Sequence, residues 1–161
     1  MFVYRKCALK TLFQENDLDV GLLPFLKIND QFIVDDDISK RSILLKVGCD
    51  MMSDNSAYIQ IAKEYESDPK PIIVTTVTKE VVDQVPMMDM LFQSGIQSYL
   101  VLPLFNNSKI LGVLELASSR PGVINSAFLS RLEPARHLLS QVLQHNIDVF
   151  NSKIERTIKE K

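Results

Sequence analysis

Residues Ser98–Ser119 read SYLVLPLFNNSKILGVLELASS, and this stretch decides the fold. Two continuous apolar runs, Ser98–Phe105 and Ile110–Ala117, flank the polar tetrapeptide Asn106-Asn107-Ser108-Lys109. Each run is of strand length and rich in Val, Leu and Ile, and the linker has the residue types of a turn, so the stretch predicts an antiparallel hairpin. Neither run alternates cleanly between apolar and polar residues, which predicts cover on both faces and an interior sheet. Gly112 in the middle of the second run points to close backbone approach or a bulge. Pro103 is expected to end regular pairing beside the turn.

Upstream of the hairpin, Ile72–Val77 (IIVTTV) is β-branched and reads as a strand. Pro86 suits the first turn of a helix through Phe92, in which Met87, Met88, Met90 and Leu91 crowd together and which Gly95 closes. Asp68-Pro69-Lys70-Pro71 ends an earlier helix, Ala57–Glu66, capped by Asn55 or Ser56, with Tyr58, Ile61, Ala62 and Tyr65 on one face. Further back, Leu22–Ile28 and Gln31–Val34 flank Asn29-Asp30, a hairpin signal, with Pro24 confining the first of these strands to an edge or an irregularity. Ile38–Met52 carries Leu44, Val47 and Met51 on one helical stripe with Ile43 beside it, although Ser42–Val47 is also compatible with a strand. A short amphipathic helix is expected over Phe2–Gln14, and its uncapped start at the second residue suggests a piece of a longer chain.

Downstream, Pro121-Gly122 turns the chain out of the hairpin and Asn125 or Ser126 opens a helical region. Phe128, Leu132, Ala135, Leu139 and Val142 form one seam, and Leu143, Ile147, Phe150, Ile154 and Ile158 form a second. Pro134 predicts a kink or a restart. The helix beyond it is about 37 Å long at 1.5 Å per residue, more than a domain of this size needs, so its distal half should project and seek a partner. Leu143, Ile147, Phe150 and Ile154 are the residues expected to pair two copies.

At 161 residues the chain holds one domain, drawn at residues 1–150, with 151–161 as the distal part of the closing helix leading toward a further domain. A composition of 46% hydrophobic and 24% charged residues excludes a disordered chain. The net charge of −2 gives no footprint for nucleic acid or for an anionic membrane. No apolar stretch is long enough to span a bilayer, and the first residues do not form a secretory signal, so a cytoplasmic location is expected.

Candidate chemistry is sparse. Cys7 and Cys49 are far apart without a metal-binding or redox spacing, which favours two buried thiols. Asp35-Asp36-Asp37 lacks the calcium-loop pattern and fits a helix N-cap better than a metal site. His137 and His145 read as surface or interface residues, and no nucleophile in context or Gly-rich phosphate loop accompanies them, so no cofactor, metal or catalytic residue is assigned. Glu115 is the one charge within the second apolar run, in phase with Leu111, Val113 and Ala117. It must be paired or reach solvent. A partner such as Arg136 on the closing helix is favoured over a ligand cavity.

The order strand, helix ending near Gly95, the hairpin and a long closing helix resembles a GAF domain. Its most specific pieces are Ser98–Leu104 (SYLVLPL) and Leu111–Leu116 (LGVLEL), and the resemblance spans about Pro71–Phe150. It implies an α+β, GAF-like (profilin-like) architecture: a central antiparallel sheet of about six strands, helices on both faces and a long C-terminal helix. It also implies a non-catalytic sensory or regulatory module of a larger bacterial signalling protein, covalently linked to other domains. Such a module binds an unidentified small molecule, pairs as a homodimer, or does both, the alternative being a purely structural scaffold. Pocket candidates on this footing are Thr75, Thr76, Met87, Met90, Leu91, Tyr99, Val101 and Glu115. Marks of the specialised members are not found: there is no set of neighbouring cysteines as in the free methionine sulfoxide reductases, Cys49 is followed by Asp50 and not by the His common at bilin-attachment sites, and no cyclic-nucleotide signature can be placed.

Overall fold

The computed structural model describes residues 18–34, 42–48, 57–85 and 88–159. The expected Phe2–Gln14 helix, the Asp35–Asp37 cap, both cysteines, the Asn55 or Ser56 cap, Pro86 and Met87 lie outside the described residues.

Six strands form. β1 (Leu18–Pro24), β4 (Ile72–Val74), β5 (Ser98–Asn106) and β6 (Lys109–Ser118) make an antiparallel sheet in the order β1-β6-β5-β4, and β2 (Leu26–Ile28) pairs with β3 (Gln31–Ile33) as a separate hairpin. The β5–β6 hairpin is the centre of the sheet. Its turn is tighter than the tetrapeptide suggested, because Asn106 pairs with Lys109 and leaves only Asn107 and Ser108, at φ 50° and 66°, to reverse the chain. Asn29 and Asp30, at φ 51° and 61°, do the same for β2–β3. Two successive positive φ values match the right-handed twist of the flanking strands.

Pro103 does not end the pairing: it lies opposite Val113 and the ladder continues to Asn106. The irregularity comes one step later, where Leu104 pairs with Gly112 but Phe105 pairs with Ile110, so Leu111 is an extra residue in β6. This bulge inverts the pleat. Leu111 therefore joins Leu114 and Leu116 on one face of the sheet, while Val113, Glu115 and Ala117 belong to the other, and the expected phase of Leu111 with Glu115 is wrong for that reason. Gly112 lies at the crossing. A Cβ there would sit 2.1 Å from the Leu23 carbonyl oxygen, 2.8 Å from Pro24 Cα and 3.0 Å from Leu143 Cδ2, so only glycine lets β1 pass this close.

β1 is an edge strand and Pro24 is its last residue, as a missing N–H requires. Phe25 then donates its N–H to the Leu111 carbonyl at 2.8 Å, and Tyr58 Oη secures the break by donating to the Pro24 carbonyl at 3.0 Å and accepting from Leu26 N at 3.2 Å.

β4 is shorter than IIVTTV suggested. The Thr75 carbonyl is taken by Ser98 Oγ at 3.0 Å and by Gly122 N at 2.8 Å, which pulls the chain out of the ladder after Val74.

Helices cover both faces. On one lie α1 (Ile43–Lys46), α2 (Ala57–Ser67), α3 (Lys79–Gln84) and α4 (Met88–Gln93), with a core that includes Ile43, Leu44, Tyr58, Tyr65, Met88, Leu91, Tyr99 and Val101. Within Ser42–Val47 the chain is thus helical over Ile43–Lys46 and not a strand, and Gly48 takes φ +93° just beyond the C-cap Val47. The Thr78 side chain caps α3, a helix absent from the sequence reading, by accepting from Val81 N at 3.4 Å.

On the other face α5 (Ser126–Leu132), a 3-10 turn (Glu133–Ala135) and α6 (Arg136–Lys159) pack over Leu100, Leu102, Leu114 and Leu116. Asn125 is the N-cap of α5, accepting from Phe128 N at 3.0 Å. Pro134 sits within the 3-10 turn, where the chain restarts as expected. Among the described residues no helix is long and apolar enough to cross a membrane.

Candidate functional site

β6 carries Glu115 to the face covered by α1, α2 and α4, and the side chain is 1% exposed. Its Oε1 accepts from Tyr99 Oη at 3.1 Å, and its Oε2 accepts from Ile43 N at 2.9 Å. Tyr99 sits next to it across the β5–β6 ladder, since Tyr99 pairs with Ala117 and Val101 with Glu115. The Ile43 amide belongs to the first turn of α1, whose N-cap Ser42 makes no capping bond of its own. Glu115 takes over that role from a position 72 residues further along the chain. A carboxylate satisfies the unpaired amides at a helix start as a Ser or Asp cap would.

The expected Arg136 pairing does not form. Arg136 is on the opposite face, where Nη1 meets Glu133 Oε1 at 3.1 Å and Nη2 donates to the Pro103 carbonyl at 3.1 Å. Among the described residues, Glu115 therefore meets no guanidinium. Desolvation is the largest influence on its carboxyl and raises the pKa above the ordinary carboxylate value, against the lowering effects of the Ile43 amide, Ser42, Tyr99 and the Leu44 amide. Ser42 Oγ lies close enough to favour the carboxylate, yet it is buried without a hydrogen bond of good geometry. Tyr65 Oη is likewise buried without a partner, and burial first, then the Glu64 charge, raises its pKa. Burial also pushes the bonded Tyr58 phenol up, to about 12.

The pocket candidates separate into two groups. Tyr99, Val101, Leu91 and Glu115 converge in the core beneath the helices. Thr75 and Thr76 are exposed in the bend after β4, and Met90 is 36% exposed on the outer side of α4, its Cε 3.5 Å from where a Cβ on Gly48 would stand. Residues that sequence reasoning missed here are Ser42 and Ile43. No spacing rule could have joined them to Glu115, because the contact is set by the packing of α1 on the sheet.

The dimer candidates differ in exposure. Leu143 is 0% and Phe150 4% exposed, and Ile147 packs against the core beneath α6, so this part of the seam is used within the subunit. Ile154, beyond the sheet, is half-buried. The apolar residues that α6 does expose are Val142, Val149 and Ile158, at 37%, 55% and 69%. His137 and His145 are on the surface of α6 as expected, along a polar groove of about 400 Å³ with Asn106, Gln144 and Asp148. Among the described residues no group of three or more His, Cys, Asp or Glu side chains is arranged to hold a metal ion.

A family model for the GAF domain matches residues 11–145. The chain belongs to the GAF domain family. GAF domains are sensory and regulatory modules of signalling proteins, generally without catalysis of their own. The match begins well upstream of Pro71, so β1 and the β2–β3 hairpin are part of the GAF fold. No curated protein matches the chain. Among solved structures it is similar to the red light-absorbing state of a red/green cyanobacteriochrome (16% identity, TM-score 0.52, 91% of this chain and 95% of that one). It is also similar to a domain of a putative two-component sensor histidine kinase from Sinorhizobium meliloti 1021 (15% identity, TM-score 0.51, 90% and 91%). A third is the GAF domain of an Acinetobacter phosphoenolpyruvate-protein phosphotransferase (12% identity, TM-score 0.50, 91% and 94%). At these identities the likeness is one of fold.

Proposed function

We propose that this GAF domain is a non-catalytic regulatory module of a longer cytoplasmic signalling protein, that it responds to a small molecule, and that α6 passes its state onward. The observation that carries this reading is the course of α6. Leu139 and Leu143 root it in the core under the central strands, and the same helix runs without a break to Lys159. A 24-residue helix spans about 36 Å, so a shift at the sheet is delivered well beyond it. Domain limits of 1–150 for the module and 151–161 for the connecting end fit this course.

α6 also pairs two copies in this reading. Val142 and Val149 are exposed and seven residues apart, the repeat that keeps one helix face on a partner helix. Sedimentation velocity at micromolar concentration should show a dimer that Val149→Glu converts to monomer. A wild-type monomer overturns the pairing.

A second reading, a scaffold without a ligand, has its own support: Tyr58, Tyr99, Met88 and Leu91 are all at most 1% exposed and fill much of the space between the sheet and its covering helices. Native mass spectrometry separates the two. A co-purifying molecule released on denaturation supports the sensory module.

A further inference from the structure

A cavity of about 320 Å³ opens between the β2–β3 hairpin, the end of α2, the β5–β6 turn and the middle of α6. Its floor is apolar: Phe25, Phe32, Ile110 and Ile147. Ile110 packs on one core and Ile147 on the other, so the cavity marks the place where the two cores meet below the bulge. The volume is at the lower end of those that hold small ligands.

The rim is polar and unevenly engaged. Lys27 Nζ is 2.6 Å from Glu66 Oε1 and 4.6 Å from the centre of the Phe32 ring, so it is held on one side and its charge is balanced. Lys109 lines the same rim and meets no carboxylate among the described residues. The Asn151 carboxamide, on the α6 wall, is also without a hydrogen-bond partner among them. Among the described residues that line it, two lysines against one glutamate leave one positive charge, with an idle amide donor on the same rim and an aromatic and branched aliphatic floor below.

We propose that this cavity binds a small aromatic carboxylate, its ring on the Phe32–Ile147 floor and its carboxylate held by Lys109 and Asn151. A monoanion matches the single unbalanced charge, and a charge-assisted bond from an ammonium is stronger than one between neutral groups. A ligand here touches both the hairpin and α6, and so fixes the middle of α6 against the rest of the domain. That coupling rests on the regulatory reading above, whereas binding itself does not.

Phenylacetate is the probe, titrated by calorimetry into the full 161-residue chain, with 2-phenylethanol and phenethylammonium as neutral and cationic counterparts. Saturable binding of phenylacetate is expected, weakened about tenfold or more in Lys109→Ala and in the neutral counterpart. Asn151→Trp, at an exposed helix position, should close the rim and abolish binding, while His137→Ala on the separate groove of α6 should leave it unchanged. Absence of saturable binding, equal affinity for the alcohol, or indifference to both rim substitutions overturns the site. Hydrogen exchange over residues 150–159 reads the coupling: slower exchange with phenylacetate supports it, and unchanged exchange with binding intact overturns the regulatory link while leaving the site in place.

Discussion

At the scale of single residues the domain turns on Glu115. Burying a carboxylate is costly, and the bonds from Tyr99 and Ile43 offset that cost only in part, which is why the pKa moves up. The sign of the pH dependence follows. With the folded-state pKa above the unfolded one, the native state binds the proton more tightly, so the stability linked to Glu115 is fully present below the ordinary carboxylate pKa and is lost as pH rises through the raised value. Glu115→Gln removes this dependence, because the amide oxygen still accepts from Ile43 N and no charge is buried. Urea unfolding midpoints of the two proteins should therefore diverge in favour of the Gln variant as pH rises through that window. Parallel curves would contradict the assignment. Tyr99→Phe takes away one bond to a buried acceptor and should cost about 1.5–3 kcal/mol near neutral pH in the same experiment.

Glu115 also shows where sequence reasoning stops. Its need for a partner or for solvent was legible, since a lone charge in an apolar run has few ways to be satisfied. Its face and partners were not. The extra residue at Leu111 breaks the two-residue period that would have placed it, and Ile43 reaches it only through the tertiary packing of α1.

Among the elements, the β5–β6 hairpin was readable almost to its ends because composition, turn chemistry and length all agree there. Gly112 was readable as a bulge or a close approach, and it is a close approach beside a bulge at Leu111. Two glycine substitutions distinguish steric from conformational demand. Gly112→Ala drives a methyl against the Leu23 carbonyl and should cost about 3 kcal/mol or more in chemical denaturation, because backbone has little room to yield. Gly95→Ala meets open space but keeps φ at +80°, so its cost should be only about 1 kcal/mol. Equal costs would contradict the close β1–β6 crossing. The closing helix was legible as an amphipathic element with a restart at Pro134. The burial of Leu143 within the subunit was not, since an apolar stripe has the same period whether it faces its own sheet or another chain. Leu143→Ala should accordingly lower stability by about 2–5 kcal/mol in the monomeric Val149→Glu background as well. A loss seen only in the dimer would return Leu143 to the interface.

For the whole molecule, two cores on opposite faces of one sheet are tied at the bulge, where Phe25 N bonds the Leu111 carbonyl and Leu143 comes within reach of Gly112. The GAF family match extends over both cores. In the proposed reading a change on the hairpin side becomes a change along α6, and a ligand that binds only the native state stabilises it by about 2.7 kcal/mol at a hundred times its Kd. Thermal unfolding of the full chain across a panel of aromatic carboxylates, nucleotides and amines tests the sensory claim most directly. The account predicts a concentration-dependent rise in Tm with aromatic carboxylates, about 2–4 °C for each kcal/mol of binding free energy. No shift with any member of the panel, at concentrations where the folded chain is intact, would contradict it.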